Sequence, residues 1–115
     1  MPRDAASYLW DAEGAAKLAL EFMAGRRVAD LDSDVMLRSA LERQIQIVGE
    51  ALSQLARLEP AYGSRIPDLP RIVALRNILV HGYAVVDHER LWDISSEELP
   101  ALRRLLQQLL DEVTS

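Results

Sequence analysis

A chain of 115 residues with a formal net charge of −5 can fill one helical core but not two, and it lacks the basic body of a protein that coats nucleic acid. With no cysteine there is neither a disulfide framework nor a thiolate metal site, and no run approaches the roughly 20 apolar residues of a membrane span. The opening "MPRDAASYLW" has no apolar signal core, so a soluble, unexported, cytoplasmic protein is expected. Twelve arginines stand against the single Lys17, a bias that suits phosphate recognition by guanidinium forks and equally fits genomic codon usage.

Few glycines and prolines and many Leu and Ala favour helix throughout, and no strand pattern stands out. A first helix is expected from about Ala5 to Met23, capped by Asp4 and stopped at Gly25. Tyr8, Ala12, Ala15, Ala19 and Phe22 recur at three- and four-residue steps and give it one apolar face. After the polar "GRRVADLDSD", Asp32 or Ser33 can cap a long second helix reaching about Leu58. One stripe on it joins Leu37, Leu41, Ile45, Val48, Leu52 and Leu55, and a second joins Ala40, Ile47, Ala51 and Leu58. Two stripes imply contacts on two sides, as in a central bundle helix or a dimer contact. Arg43, Gln46, Gly49 and Glu50 on the same helix read as a solvated face.

"EPAYGSRIPDLP" is a loop with several stop signals. Pro70 then suits the first turn of a third helix with Asp68 near its cap, and Ile72, Val73, Leu75, Ile78, Leu79 and Val80 make that helix apolar over most of its circumference, hence mostly buried. Gly82 fits a C-terminal stop, leaving His81 in the last turn and Tyr83 just past it. Asp87 can cap a short helix through Trp92, and "SSEELP" caps the last, where Leu102, Leu105, Leu106, Leu109 and Val113 are amphipathically spaced. The expected architecture is an all-α bundle of about four main helices and one short one. It forms a single domain over residues 1–115 with no repeat or linker.

The stretch "RNILVHGY" concentrates the chemistry. Arg76 and His81 are five residues apart, which places them about 140° apart on a helix, whereas Asn77 and His81 are stacked neighbours. One site could use both if the Arg76 side chain wraps round, if the helix loosens near Gly82, or if a second copy contributes across a two-fold axis. The chemistry these residues suit is phosphodiester cleavage without metal. Histidine moves a proton near neutrality, arginine stabilises charge on phosphate, and RNA supplies its own 2′-hydroxyl nucleophile. A helix-end histidine bonded to a carbonyl is the commoner reading of such a residue.

"RNILVHGY" resembles the Arg-x4-His-x-Tyr motif of the HepT-like branch of the HEPN superfamily, small helical ribonuclease toxins of toxin–antitoxin pairs. "RQIQIVGEAL", "IPDLPRIVALRN" and "VDHERLWDI" also sit where that family has similar segments, so the resemblance covers nearly the whole chain. It implies a HEPN-type bundle, a symmetric homodimer and metal-independent cleavage of RNA with no cofactor. Arg76 would then bind phosphate and stabilise the transition state, His81 would be the general acid or base, and Asn77 would support them through hydrogen bonds. The family also implies an MNT-type nucleotidyltransferase antitoxin that adenylylates Tyr83. Glu50 in "IVGEAL" matches a family position to which no role is assigned here beyond pairing with an arginine. The competing readings are a non-catalytic HEPN module that partners a nucleotidyltransferase, and a structural helical dimer without a ligand.

Overall fold

The computed structural model describes residues 4–81 and 87–115, and among these every regular element is a helix. The first helix, α1 (Ala5–Met23), opens where the Asp4 side chain accepts from the Ser7 backbone N–H at 2.9 Å. Beyond its end Gly25 turns the chain at φ +74°, a conformation glycine adopts without penalty. Both boundaries agree with those expected from the sequence. A single turn, α2 (Ala29–Ser33), follows and anchors itself with the buried Leu31.

The cap of the long helix α3 (Val35–Leu58) is Asp34, which accepts from Leu37 N–H at 3.0 Å. Neither Asp32 nor Ser33 serves, because both lie in α2; Asp32 instead hydrogen-bonds His88 across the fold. The stripe Leu37, Leu41, Ile45, Val48, Leu52 and Leu55 is buried as its spacing requires. The second stripe is covered only in part: Ala51 is buried, Ala40 and Ile47 are half-buried and Leu58 is exposed.

A short turn, α4 (Pro60–Ser64), leads to α5 (Leu69–His81). Only Ile72, Leu75 and Leu79 of α5 are buried; Val73 and Ile78 are half-buried and Val80 is 54% exposed. The all-round apolar pattern that predicts a buried helix therefore leaves part of its apolar surface, Val80 above all, uncovered among the described residues.

The last helix, α6 (His88–Thr114), is continuous, with Asp87 accepting from the Glu89 and Arg90 N–H groups and Pro100 inside it. The expected short helix ending near Trp92 and its separate successor are one element. Leu91, Ile94, Leu99, Leu102, Leu106 and Leu109 lie buried along both halves, so packing outweighs the hydrogen bond that Pro100 cannot make to Ser96. The four long helices are those the periodicity indicates, joined by two five-residue helical turns at other places than expected. The core is built chiefly where α1 meets α3 and α6 and where α3 meets α5, the last crossing being the one that positions the motif.

Candidate functional site at the crossing of α3 and α5

Gly49 is buried on α3 where α5 crosses it. A Cβ at this position would lie 2.5 Å from Cβ and 2.8 Å from Cγ of Arg76, and 3.4 Å from the Ile72 carbonyl oxygen. The missing side chain thus lets the first carbons of Arg76 lie against the α3 backbone. "VGEAL" carries a visible trace of this, since a glycine in the interior of a helix costs about 1 kcal/mol against alanine and points to a close approach. Reading Gly49 as part of a solvated face missed that signal.

From this anchored base the guanidinium is held on two edges. Nη2 of Arg76 forms an ion pair with Glu50 Oε2, and Nη1 donates to Asn77 Oδ1 at 2.5 Å. Glu50 is held in turn, its Oε1 accepting from Gln54 Nε2 at 3.2 Å. The Arg76 side chain is only 20% exposed, and its Nε is buried without a hydrogen-bond partner among the described residues. The hydrogen bond from Arg76, with a further one from Gln54, holds the Glu50 carboxyl below its ordinary range. Glu50 is therefore the partner that orients Arg76; its sequence position suggested pairing with an arginine but not which one.

Asn77 is exposed beside Arg76, as its place in the motif suggests. His81 is exposed in the last turn of α5, and the helix is regular as far as His81, so the offset of about 140° from Arg76 persists within one chain. The route in which the helix loosens is not taken up to His81. The expected stop at Gly82 and the modification target Tyr83 lie outside the described residues. Among the described residues no three His, Asp or Glu side chains converge as metal ligands would.

Next to the Glu50 carboxylate a cleft of about 220 Å³ runs between α1 and α3, with Tyr8 and Asp11 on one wall and Arg43, Gln46 and Gln54 on the other. Sequence spacing had grouped Arg43, Gln46 and Glu50 on one face without showing that α1 walls that face in.

The model of the family described as ribonuclease HepT-like matches residues 12–109, a span that includes Glu50, Arg76 and His81. This chain belongs to the HepT-like ribonuclease family. A protein of Methanocaldococcus jannaschii named as a candidate RNase is 30% identical over 104 residues, covering 89% of this HepT-like chain and 93% of the relative. A Thermococcus cleftensis protein named as a probable ribonuclease HepT is 30% identical over 112 residues, covering 95% and 98% respectively. A further relative named as a candidate RNase, from Caldanaerobacter subterraneus subsp. tengcongensis, is 27% identical over 93 residues, covering 81% and 82%. No solved structure matches significantly.

Proposed function

We propose that this HepT-like chain is a metal-independent endoribonuclease in which Arg76 and His81 act on one RNA phosphodiester. The observation that carries the reading is the posture of Arg76: a guanidinium seated on Gly49 and steered by Glu50 and Asn77, in a chain that belongs to a ribonuclease family. Among the described residues two of its five N–H donors are engaged and Nε is buried, which leaves hydrogens on Nη1 and Nη2 for a non-bridging phosphate oxygen. In the reaction the 2′-oxygen attacks phosphorus, the P–O2′ bond forms and the P–O5′ bond breaks. The 2′-hydroxyl loses a proton and the departing 5′-oxygen gains one, and His81 carries one of these transfers. Arg76 stabilises the charge that builds on the phosphorane oxygens.

The offset between Arg76 and His81, with the exposed Val80 beside the histidine, supports an isologous dimer in which two copies of α5 face one cleft. In the cell the protein acts as a cytoplasmic toxin of a toxin–antitoxin pair, silenced by an MNT-type nucleotidyltransferase. The Tyr83 oxygen attacks the α-phosphorus of ATP, pyrophosphate leaves, and the new phosphate competes for Arg76 and repels the RNA backbone. Incubation with the partner enzyme and ATP, followed by peptide mass spectrometry, should place one or more adenylates on Tyr83, and Tyr83→Phe should escape silencing by modification. Silencing without an adenylate on Tyr83 contradicts this part.

The net charge of −5 favours the second reading, a non-catalytic module that only partners the nucleotidyltransferase. One experiment separates the two: incubation of purified protein with single-stranded RNA in EDTA, which the nuclease cleaves and the module does not.

A further inference from the structure

We infer that Glu98 on α6 is a positioning residue for Arg76: through its ion pair with Arg71 it fixes the roll of α5, and with it the direction in which Arg76 points. The inference deepens the ribonuclease reading, on which it rests for the use made of Arg76. Only Ile72, Leu75 and Leu79 of α5 are buried, and its backbone packs on α3 rather than on α6. One buried row seats a helix but resists rotation about its axis only weakly. Arg71 supplies a second hold, because its Nη1 reaches across to Oε1 of the buried Glu98. Arg71 and Arg76 are five residues apart and so leave α5 about 140° apart, one toward α6 and the other toward Gly49 and Glu50 on α3. Ties in two directions fix the roll that one tie leaves open.

An ion pair kept for stability would be better satisfied. Both carboxylate oxygens of Glu98 are buried without a hydrogen bond among the described residues, and so is the Ser95 hydroxyl one turn earlier on α6. Burial pushes the Glu98 carboxyl above its ordinary range, Asp68 and Glu97 add repulsion, and Arg71 opposes them without cancelling them. Such a pair costs stability against an uncharged side chain of the same shape, so its contribution is to specify geometry. The chemistry sets how much geometry matters. Side chains reach about 5–6 Å from a helix axis, so a roll of about 10° carries the end of one roughly 1 Å. A displacement of about 1 Å at a catalytic group costs on the order of 10²-fold in rate. A hold on the roll of α5 is therefore a hold on the rate.

The test uses full-length Glu98→Gln, Arg71→Gln and Arg71→Lys proteins, read by thermal melts, steady-state cleavage of single-stranded RNA and a carbon NMR titration of the Glu50 carboxyl. The titration reports where Arg76 points, since Arg76 is the main cause of the lowered Glu50 value and neither Arg71 nor Glu98 is among its causes. Glu98→Gln should melt no lower than the wild type, lower kcat on the order of tenfold or more with a smaller change in KM, and return Glu50 toward its ordinary range. Arg71→Gln should act alike on kcat and Glu50, and because Arg71 is largely exposed it decides should Glu98→Gln fail to fold. Arg71→Lys keeps the charge and should retain the wild-type rate within about twofold. A merely structural residue lowers melting temperature and activity together and leaves Glu50 in place; that result overturns the inference, as does a Glu98→Gln protein with wild-type kcat. Wild-type protein that leaves RNA intact, while Glu50 still moves in Glu98→Gln, keeps the hold on Arg76 and loses the nuclease. Wild-type protein that cleaves RNA, while Glu50 stays put in both charge-removing variants, does the reverse.

Discussion

A methyl group on Gly49 would meet carbons at the root of the Arg76 side chain, atoms that cannot swing aside unless the backbone of α5 moves. Gly49→Ala gains helix propensity of about 1 kcal/mol, but the overpacking costs about 1–3 kcal/mol, and the helices must part to relieve it. The expected result is a net loss of stability in a urea titration together with a loss of RNA cleavage larger than unfolding explains, because Arg76 no longer points at Glu50. A more stable and fully active Gly49→Ala protein contradicts this crossing. Glu98 is the opposite kind of residue, a carboxyl only 6% exposed whose oxygens accept no hydrogen bond among the described residues, although Arg71 lies in ion-pair contact with one of them. Burial, with repulsion from Asp68 adding to it, pushes this carboxyl above its ordinary range despite Arg71. A raised acid favours the folded state while protonated, so its contribution is full below the unfolded carboxyl range and is lost as pH rises through the folded value. Glu98→Gln should therefore raise the melting temperature at pH 7, and the gain should shrink in melts run below about pH 4, near the unfolded glutamate value. Glu50 works in the other direction. Its lowered carboxyl favours folding above the unfolded range, and that contribution is lost as acid pH falls through the folded value, by a small amount because the side chain is 51% exposed.

Among the elements, α6 tests how far packing overrides local sequence. Pro100 removes a backbone hydrogen bond from a helix whose leucine rows on either side are buried on the same core. Pro100→Ala restores the donor and should stabilise the protein by about 1–3 kcal/mol, readable as an upward shift in melting temperature with unchanged helix content. A loss of stability there shows that the helix depends on the proline bend. This helix also marks where sequence reading stops. The span of α1, its Asp4 cap and the buried stripe of α3 follow from three- and four-residue spacing, because those signals are local. The continuity of α6 does not, since the serines and Pro100 of "SSEELP" are ordinary signs of a helix boundary, and only contacts with distant residues outweigh them. The same holds for the site. Arg76, Asn77 and His81 stand out as a spaced motif, whereas the grip of Glu50 on Arg76 spans 26 residues and needs two helices to cross. The uncovered side of α5 was hidden for a related reason: apolar composition reveals that a helix seeks cover, not whether the cover lies in its own chain.

At the scale of the whole molecule, the separation of Arg76 from His81 around α5 and the exposed Val80 support the proposed assembly with a second copy of the chain. Sedimentation should find a dimer at micromolar concentration, and Val80→Glu should weaken association by tenfold or more while abolishing cleavage in proportion, since a buried unpaired carboxylate is strongly unfavourable. A monomeric wild-type protein with full activity contradicts the assembly. The central claim, metal-free cleavage by Arg76 and His81, is tested most directly by the rate of single-stranded RNA cleavage in EDTA for the wild type, Arg76→Ala, His81→Ala and the double variant. The account predicts that EDTA has no effect, that each single change lowers the rate on the order of 10²-fold or more, and that the double change adds little. Cleavage that stops in EDTA and returns with a divalent ion, or a His81→Ala protein as fast as the wild type, would contradict it.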